Sequence, residues 1–353
     1  MAGSAGAATP PTPVAAWQKV SPASVGLFPG KLNQIAAQAR KGKSNCLVVV
    51  RDGKLAGEWY FNGTGPNTTQ DVYSATKSVA STLVGIAQDD GDLRIGQSAS
   101  TWIPQWRGNA ARAVTVRDLL SMDSGRQWSV FTDYVQLLGA ADRTRFAIGL
   151  RQSAPPGKVW AYNNAAEQTL DRVVQKATGK DVLAFAQQRL FAPLGMTHTR
   201  MTTDKAGNAQ MFEGLQSTCR DMARFGVLML NQGRWGSKQL VSASWVKQAT
   251  AQSSTKLNAG YGYLWWLNRK GIQGDVLSAT TVPTARRAAT TGRIAPGAPS
   301  SMYWALGLGN QIVQVDPDSK TVVVRLGDVN PLALGGSFGP RDASKVVTEA
   351  VVG

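Results

Sequence analysis

The placement of strand-like segments is the strongest constraint on how this chain folds. Two lie near the start: Cys46-Leu-Val-Val-Val-Arg51 and Lys54-Leu-Ala-Gly-Glu-Trp-Tyr60, joined by Asp52-Gly53, a pair suited to a two-residue hairpin turn. Strand character then disappears until Tyr261-Gly-Tyr-Leu-Trp-Trp-Leu267, Tyr303-Trp-Ala-Leu-Gly307, Gln311-Ile-Val-Gln-Val315 and Thr321-Val-Val-Val-Arg-Leu326, the last two flanking an Asp316-Pro-Asp-Ser turn. Helical segments fill the gap: 114–122, 143–150, 165–178, 182–190 and 217–231. Strands at both ends of a chain with helices between them imply one antiparallel sheet assembled from both ends, with a helical lobe inserted. The expected fold class is therefore α/β (α+β), an antiparallel sheet flanked by helices. Helices at 27–41 and 343–351 are expected to pack on that sheet. The expected boundaries are a disordered leader at 1–15, a sheet domain at 16–105 and 241–353, and a helical domain at 106–240. Residues 267–301, rich in Gly, Pro, Thr and Arg, carry almost no periodicity and read as a long functional loop.

Composition excludes more than it selects. The 38 basic and 22 acidic residues give a formal charge of +16, but the basic residues come in scattered twos and threes with no basic helix and no zinc-finger spacing, which argues against a nucleic-acid partner. One histidine and two cysteines are too few for an ordinary zinc site, so no metal and no cofactor is expected. A Ser-His-Asp triad would have to use His198, in a turn after Pro193, and no Gly-x-Ser-x-Gly elbow occurs. Cys46 begins a strand and Cys219 a helix, and both read as packed free thiols. The leader has no apolar core of a signal peptide, and no run reaches the length of a membrane span.

The chemistry concentrates in Asp71-Val-Tyr-Ser-Ala-Thr-Lys-Ser-Val-Ala-Ser-Thr-Leu-Val-Gly-Ile86. A helix starting near Ser74 puts Lys77, three residues on, over the same face, while Val79, Leu83 and Ile86 form the stripe that buries it. Free N–H groups at that helix start offer half of an oxyanion hole. Ser-x-x-Lys occurs twice more. Ser244 heads Trp245-Val-Lys247 and reads as a helix cap; Ser253 and Lys256 lie in a polar loop. Only Ser74 opens a long apolar helix.

A nucleophilic serine needs a proton acceptor, and with the single histidine set aside the candidates are Lys77 and a tyrosine, of which Tyr162 is the expected base. Tyr162 follows a Pro-Gly turn and an extended piece in Lys158-Val-Trp-Ala-Tyr-Asn-Asn-Ala-Ala166, at the junction with a helix. Beside an ammonium its phenolate would be favoured. Tyr60-Phe61-Asn62 repeats the Tyr-x-Asn pattern at a strand end ahead of the nucleophile. The order Ser74-x-x-Lys77, Tyr162-x-Asn164, then a glycine-containing strand resembles that of the penicillin-recognising serine hydrolases. The similarity is to the class C β-lactamase-like group, closest to its esterase and 6-aminohexanoate-oligomer hydrolase branch. Val116–Gly125, Leu190–Met196 and Asp221–Gly226 share in it, and it extends over nearly everything after residue 25.

That resemblance implies a β-lactamase/transpeptidase-like fold and an acyl-enzyme on Ser74. Lys77 and Tyr162 would move the proton, with Asn164 steadying Lys77 and a substrate amide. The family's Lys-Thr-Gly strand is best matched by Ala305-Leu306-Gly307, which lacks the lysine; Thr290-Thr291-Gly292 is the rival. On the first match the N–H groups of Ser74 and Leu308 form the oxyanion hole, and Gly307 borders the substrate. Losing the lysine removes the usual carboxylate clamp, so the expected substrates are esters, linear amides or short oligomers with neutral or apolar acyl groups. A β-lactamase or D-alanyl-D-alanine carboxypeptidase is the alternative, with Arg286, Arg287 or Arg293 replacing the lysine; an inactive binding member of the fold is the non-enzyme alternative. Trp128, Tyr134, Trp160, Trp265 and Trp266 are available to line a cleft, and Tyr134 is the one expected to touch substrate. Glu167-Gln-Thr-Leu-Asp171 is similar to the class A β-lactamase glutamate box but lies where that box would not be, so Glu167 reads as an ordinary helix residue. The expected location is secreted or periplasmic.

Overall fold

The computed structural model describes residues 16–281, 291–329 and 338–352; the expected leader lies outside the described residues. The elements that position the site are α1 (Pro29–Lys41), β1 (Ser44–Arg51), β2 (Lys54–Tyr60), α2 (Thr76–Asp89), α3 (Asn164–Gln168), α4 (Leu170–Thr178), α5 (Cys219–Leu230), β3 (Trp266–Leu267), β4 (Tyr303–Gly307), β5 (Gln311–Asp316), β6 (Thr321–Gly327) and α6 (Pro340–Ala350). The strands form one antiparallel sheet in the order β2-β1-β6-β5-β4-β3. The first hairpin turns at Asp52 and Gly53, both with positive φ, and pairs Arg51 with Lys54. The seam between the two chain ends is β1 on β6, where Val48, Val49 and Val50 face Val324, Val323 and Val322.

The sheet is buried on both faces, which is why its central strands are valine runs and not alternating sequences. On one face Cys46, Val48, Val50, Val322, Val324 and Leu326 join the larger core with α2 and α5. On the other, Leu47, Val49 and Val323 meet Leu32, Ile35 and Ala39 of α1 and Val346 of α6. The segment expected as a strand at 261–267 pairs in the sheet only at Trp266–Leu267, because Leu264 adopts a positive φ of 60° and turns the chain. The helix expected at 165–178 is two, α3 and α4, meeting at Thr169.

Three further expectations are corrected by the structure. The stripe expected on α2 is a fully buried cylinder: Thr76 through Ala87 are all buried, between the sheet and α4. Two of its buried hydroxyls are hydrogen-bonded to carbonyls, Ser78 Oγ to that of Leu264 at 2.8 Å and Thr82 Oγ1 to that of Ser78 at 2.9 Å, whereas Ser81 Oγ has no hydrogen-bond partner. Burying Val79, Leu83, Val84 and Ile86 contributes about 1.5–3 kcal/mol each. The cysteines are not free thiols: Cys46 and Cys219 form a disulfide across a sequence separation of 173. Helix α5 lies across β1, β5 and β6 and brings the two Cα atoms to 6.4 Å, a juxtaposition no local pattern reveals. At the helix Ala243–Thr250 the cap is Ser242, whose Oγ accepts the Trp245 N–H, and not Ser244.

Candidate active site

Ser74 sits in a single 3₁₀ turn, Tyr73–Ala75, that leads directly into α2. The residue before it, Tyr73, has φ of 47°, a left-handed conformation that costs a side-chain-bearing residue about 1–2 kcal/mol. The surrounding hydrogen bonds fix this turn. Val72 N–H donates to the Leu215 carbonyl at 3.0 Å, Thr76 Oγ1 donates to the Tyr73 carbonyl at 2.6 Å, and Leu215 N–H donates to Thr76 Oγ1 at 3.0 Å. Strain held at one residue beside a hydroxyl is a feature of functional turns.

Lys77 projects from the first turn of α2 and is 1% exposed. Its Nζ donates to Ser74 Oγ at 3.2 Å and to the Phe212 carbonyl at 2.8 Å, and lies over the Tyr162 ring, 4.9 Å from its centroid. Glu167 Oε2 of α3 is 4.0 Å from the same nitrogen. Burial pushes the Lys77 ammonium down from its ordinary value, against the opposing charges of Glu167, Glu213 and Asp133. Tyr162 follows the strand Val159–Trp160 and precedes Asn163, the cap of α3, whose Oδ1 accepts the Ala166 N–H. Its ring stacks on Trp266 at 5.7 Å and meets Tyr261 edge-on at 6.1 Å. Burial raises the Tyr162 phenol well above its ordinary value, with the Ser74 hydroxyl pulling it the other way and Glu167 and Asp133 pushing it further up. The expected phenolate is thus disfavoured: the lysine charge is weakened by burial, and two carboxyls face the same space.

Asn164 is buried, its N–H donating to Asp133 Oδ2 at 2.5 Å, and its Oδ1 has no hydrogen-bond partner. Asp133 is raised to about 7 by burial, against the N–H groups of Asn164 and Ala165 that favour its charge. Tyr134, next in sequence, is half-buried, and its hydroxyl reaches the Val276 carbonyl at 3.4 Å. Of the other aromatics, Trp128 Nε1 donates to the Tyr162 carbonyl at 3.0 Å, whereas Trp160 and Trp265 are wholly buried. His198 is exposed, hydrogen-bonded to Thr197.

Strand β4 ends against the nucleophile turn. Gly307 is there because nothing larger fits: a Cβ at that position would lie 2.1 Å from the Val72 carbonyl oxygen. Leu308 follows, exposed at its side chain, its carbonyl accepting from Gln311 Nε2 at 3.0 Å. The buried Arg325 anchors the same turn through the carbonyls of Gly309, and of Asn310 at 3.0 Å. The rival Thr291-Gly292 instead pairs with Gly271–Ile272 in a separate two-stranded ribbon; Thr290, Arg286 and Arg287 lie outside the described residues. Sequence reasoning missed Phe212, whose carbonyl holds Lys77, and Asp133, and set Glu167 aside. Phe212 had no signal, since the contact is made by backbone; the Glu167 box was visible, but its position beside Lys77 was not.

This arrangement, a serine hydroxyl with a buried amine at the start of a buried helix, is accompanied by sequence likeness. Residues 32–334 match the family described as Beta-lactamase, and the chain belongs to that family of serine hydrolases. It is 24% identical over 239 residues to 6-aminohexanoate-dimer hydrolase of Paenarthrobacter ureafaciens, covering 62% of this chain and 60% of that protein. It is 32% identical over 171 residues to penicillin-binding protein 4 of Amycolatopsis lactamdurans, covering 44% of each. The matched region therefore spans less than two thirds of these curated relatives. A solved penicillin-binding protein homolog from Caulobacter crescentus superposes with a TM-score of 0.67 at 15% identity, over 91% of this chain and 97% of that one, a likeness of fold. A solved chain from Bacillus anthracis gives 0.71 at 20% identity, over 96% and 86%. Among the described residues no helix is long and apolar enough to cross a membrane.

Proposed function

We propose that this protein forms an acyl-enzyme on Ser74 and hydrolyses esters or linear amides, in the manner of a carboxylesterase or a 6-aminohexanoate-oligomer hydrolase. The observation that carries the reading is the 3.2 Å hydrogen bond between Ser74 Oγ and a Lys77 amine that is almost wholly buried. Burial favours the neutral amine, the form that accepts a proton, while it holds Tyr162 protonated. Lys77 therefore removes the serine proton as Oγ attacks the acyl carbon. Tyr162 relays a proton to the departing amine or alkoxide, giving up its own as it takes one from Lys77. The N–H groups of Ser74 and Leu308 receive the developing oxyanion. Asn164, with an unpartnered buried Oδ1, Tyr134 beside it, and Gly307 border the acyl group.

Neutral and apolar acyl groups suit this site. Leu306 stands near the end of β4 without a lysine before Gly307, and Val130, Phe131 and Val135 are exposed around Tyr134. The disulfide suits an oxidising compartment, consistent with a secreted or periplasmic location. Labelling with a fluorophosphonate probe followed by peptide mapping tests the nucleophile: Ser74 carries the label and Ser74→Ala abolishes it. Label on another residue refutes the assignment. A panel of p-nitrophenyl esters, linear 6-aminohexanoate dimer, nitrocefin and a D-alanyl-D-alanine peptide tests the substrate class. Efficient nitrocefin turnover with poor ester turnover overturns the ranking and directs attention to Arg293 as a carboxylate anchor.

A further inference from the structure

Glu167 has no role in the mechanism above, yet its environment is costly. The residue is 0% exposed, and neither carboxyl oxygen has a hydrogen-bond partner. A carboxyl group buried without hydrogen bonds is tolerated only where another charge or a shared proton compensates it. The compensating group is Lys77: Glu167 Oε2 is the one carboxylate oxygen within 4.0 Å of its Nζ among the described residues. Two of the three donors of a Lys77 ammonium are taken by Ser74 Oγ and the Phe212 carbonyl, which leaves one for the side facing Glu167.

We propose that Glu167 is a positioning residue for the acylation step, its carboxylate holding the ammonium that forms on Lys77 when the serine proton is transferred. The inference rests on Ser74 being the nucleophile and Lys77 its base. In the step, the Ser74 O–H bond breaks, its proton passes to the neutral Nζ, Oγ bonds the acyl carbon and the carbonyl electron pair moves to oxygen. On collapse the carbonyl re-forms and the leaving group departs with a proton, which restores the amine. Glu167 gains and loses no atoms; it supplies the counter-charge where water is excluded. Burial raises the Glu167 carboxyl above its ordinary value and lowers Lys77, with each opposing that shift in the other, so the pair titrates as a unit. The other titratable groups around the pair are Asp133, Glu213, Tyr162 and Tyr261.

The sign of the effect follows. The Glu167 charge increases the affinity of Lys77 for its proton, so removing the charge frees the amine at lower pH while leaving the transition-state ammonium unpaired. The test is the pH profile of the second-order rate of fluorophosphonate labelling at Ser74, measured for wild type, Glu167→Gln, Glu167→Leu and Glu167→Asp. In the Gln and Leu variants the acid limb moves to lower pH by about 1–3 units, and the plateau falls about 10–100-fold. In Glu167→Asp, with the charge one methylene further away, the limb moves the same way by less. A limb that stays at the wild-type position in the folded variants overturns the inference, whatever happens to the plateau. If Gln and Leu fail to fold, the Asp variant decides on the same criterion. Wild-type protein that does not label at Ser74 overturns the parent reading, and this inference with it; label at Ser74 with an unmoved limb overturns this inference alone.

Discussion

Gly307→Ala probes the contact that couples the C-terminal sheet to the nucleophile turn. The added Cβ would stand 2.1 Å from the Val72 carbonyl oxygen, where an ordinary contact begins near 3.4 Å, so strand and turn must separate by about 1.3 Å. The neighbour is backbone, pinned by the Val72 to Leu215 hydrogen bond, and cannot swing aside as a side chain would. Val72 is two residues before Ser74 and Gly307 one before Leu308, so the separation passes directly to the distance between the two proposed oxyanion donors. A hydrogen bond near 2.9 Å stretched by that amount is effectively lost. Loss of one oxyanion donor costs about 10²–10³ in kcat, the scale also expected of a misplacement of about 1 Å. The assay is acylation by a p-nitrophenyl ester, with far-UV circular dichroism and a urea midpoint to establish that the variant is folded. Gly108→Ala, where a Cβ meets nothing within 4 Å, serves as the control and is expected to be neutral. A folded Gly307→Ala protein acylating within a few-fold of wild type refutes the coupling, and with it the assignment of Leu308.

Three further outcomes are expected. Tyr162→Phe lowers acylation at least about a hundredfold, measured by burst kinetics; a near-normal rate would leave the whole proton relay to Lys77. Replacing Cys46 and Cys219 by alanine lowers the urea midpoint, by about 5 kcal/mol of stability on the loop-closure account for a separation of 173, with little effect on kcat, since neither is among the proposed site residues; an unchanged midpoint contradicts it. Stability falls as pH rises from about 5 to 7, because burial raises Asp123 and Asp171 to about 6 and Asp133 to about 7. These groups hold their protons in the native state at pH values where the unfolded chain has lost them, so their contribution disappears as pH climbs through the folded values. Lys77, lowered by burial, acts in the opposite sense; a urea midpoint that rises between pH 5 and 7 contradicts the prediction.

What the sequence determined by itself was local. Asp52-Gly53 specifies a hairpin because both residues tolerate the positive φ that a tight two-residue turn requires, and the valine runs of β1 and β6 specify strands buried on both faces. Ser74 and Lys77 were legible as a pair because three residues are one helical turn, whatever the rest of the chain does. Tyr162 was legible as lying at a junction, since Pro-Gly, an extended piece and an asparagine cap follow one another directly. The tertiary structure decided everything that depends on which distant surfaces meet. The Phe212 carbonyl reaches Lys77 across 135 residues, and Cys219 reaches Cys46 across 173, neither with any periodic signal. Glu167 became a partner of Lys77 only when the fold brought the two side chains within 4.0 Å, and the phenolate expected at Tyr162 was overruled by burial. Spacing along a chain fixes which side chains share a turn; desolvation, and the charges facing a group from other elements, exist only once the core has closed.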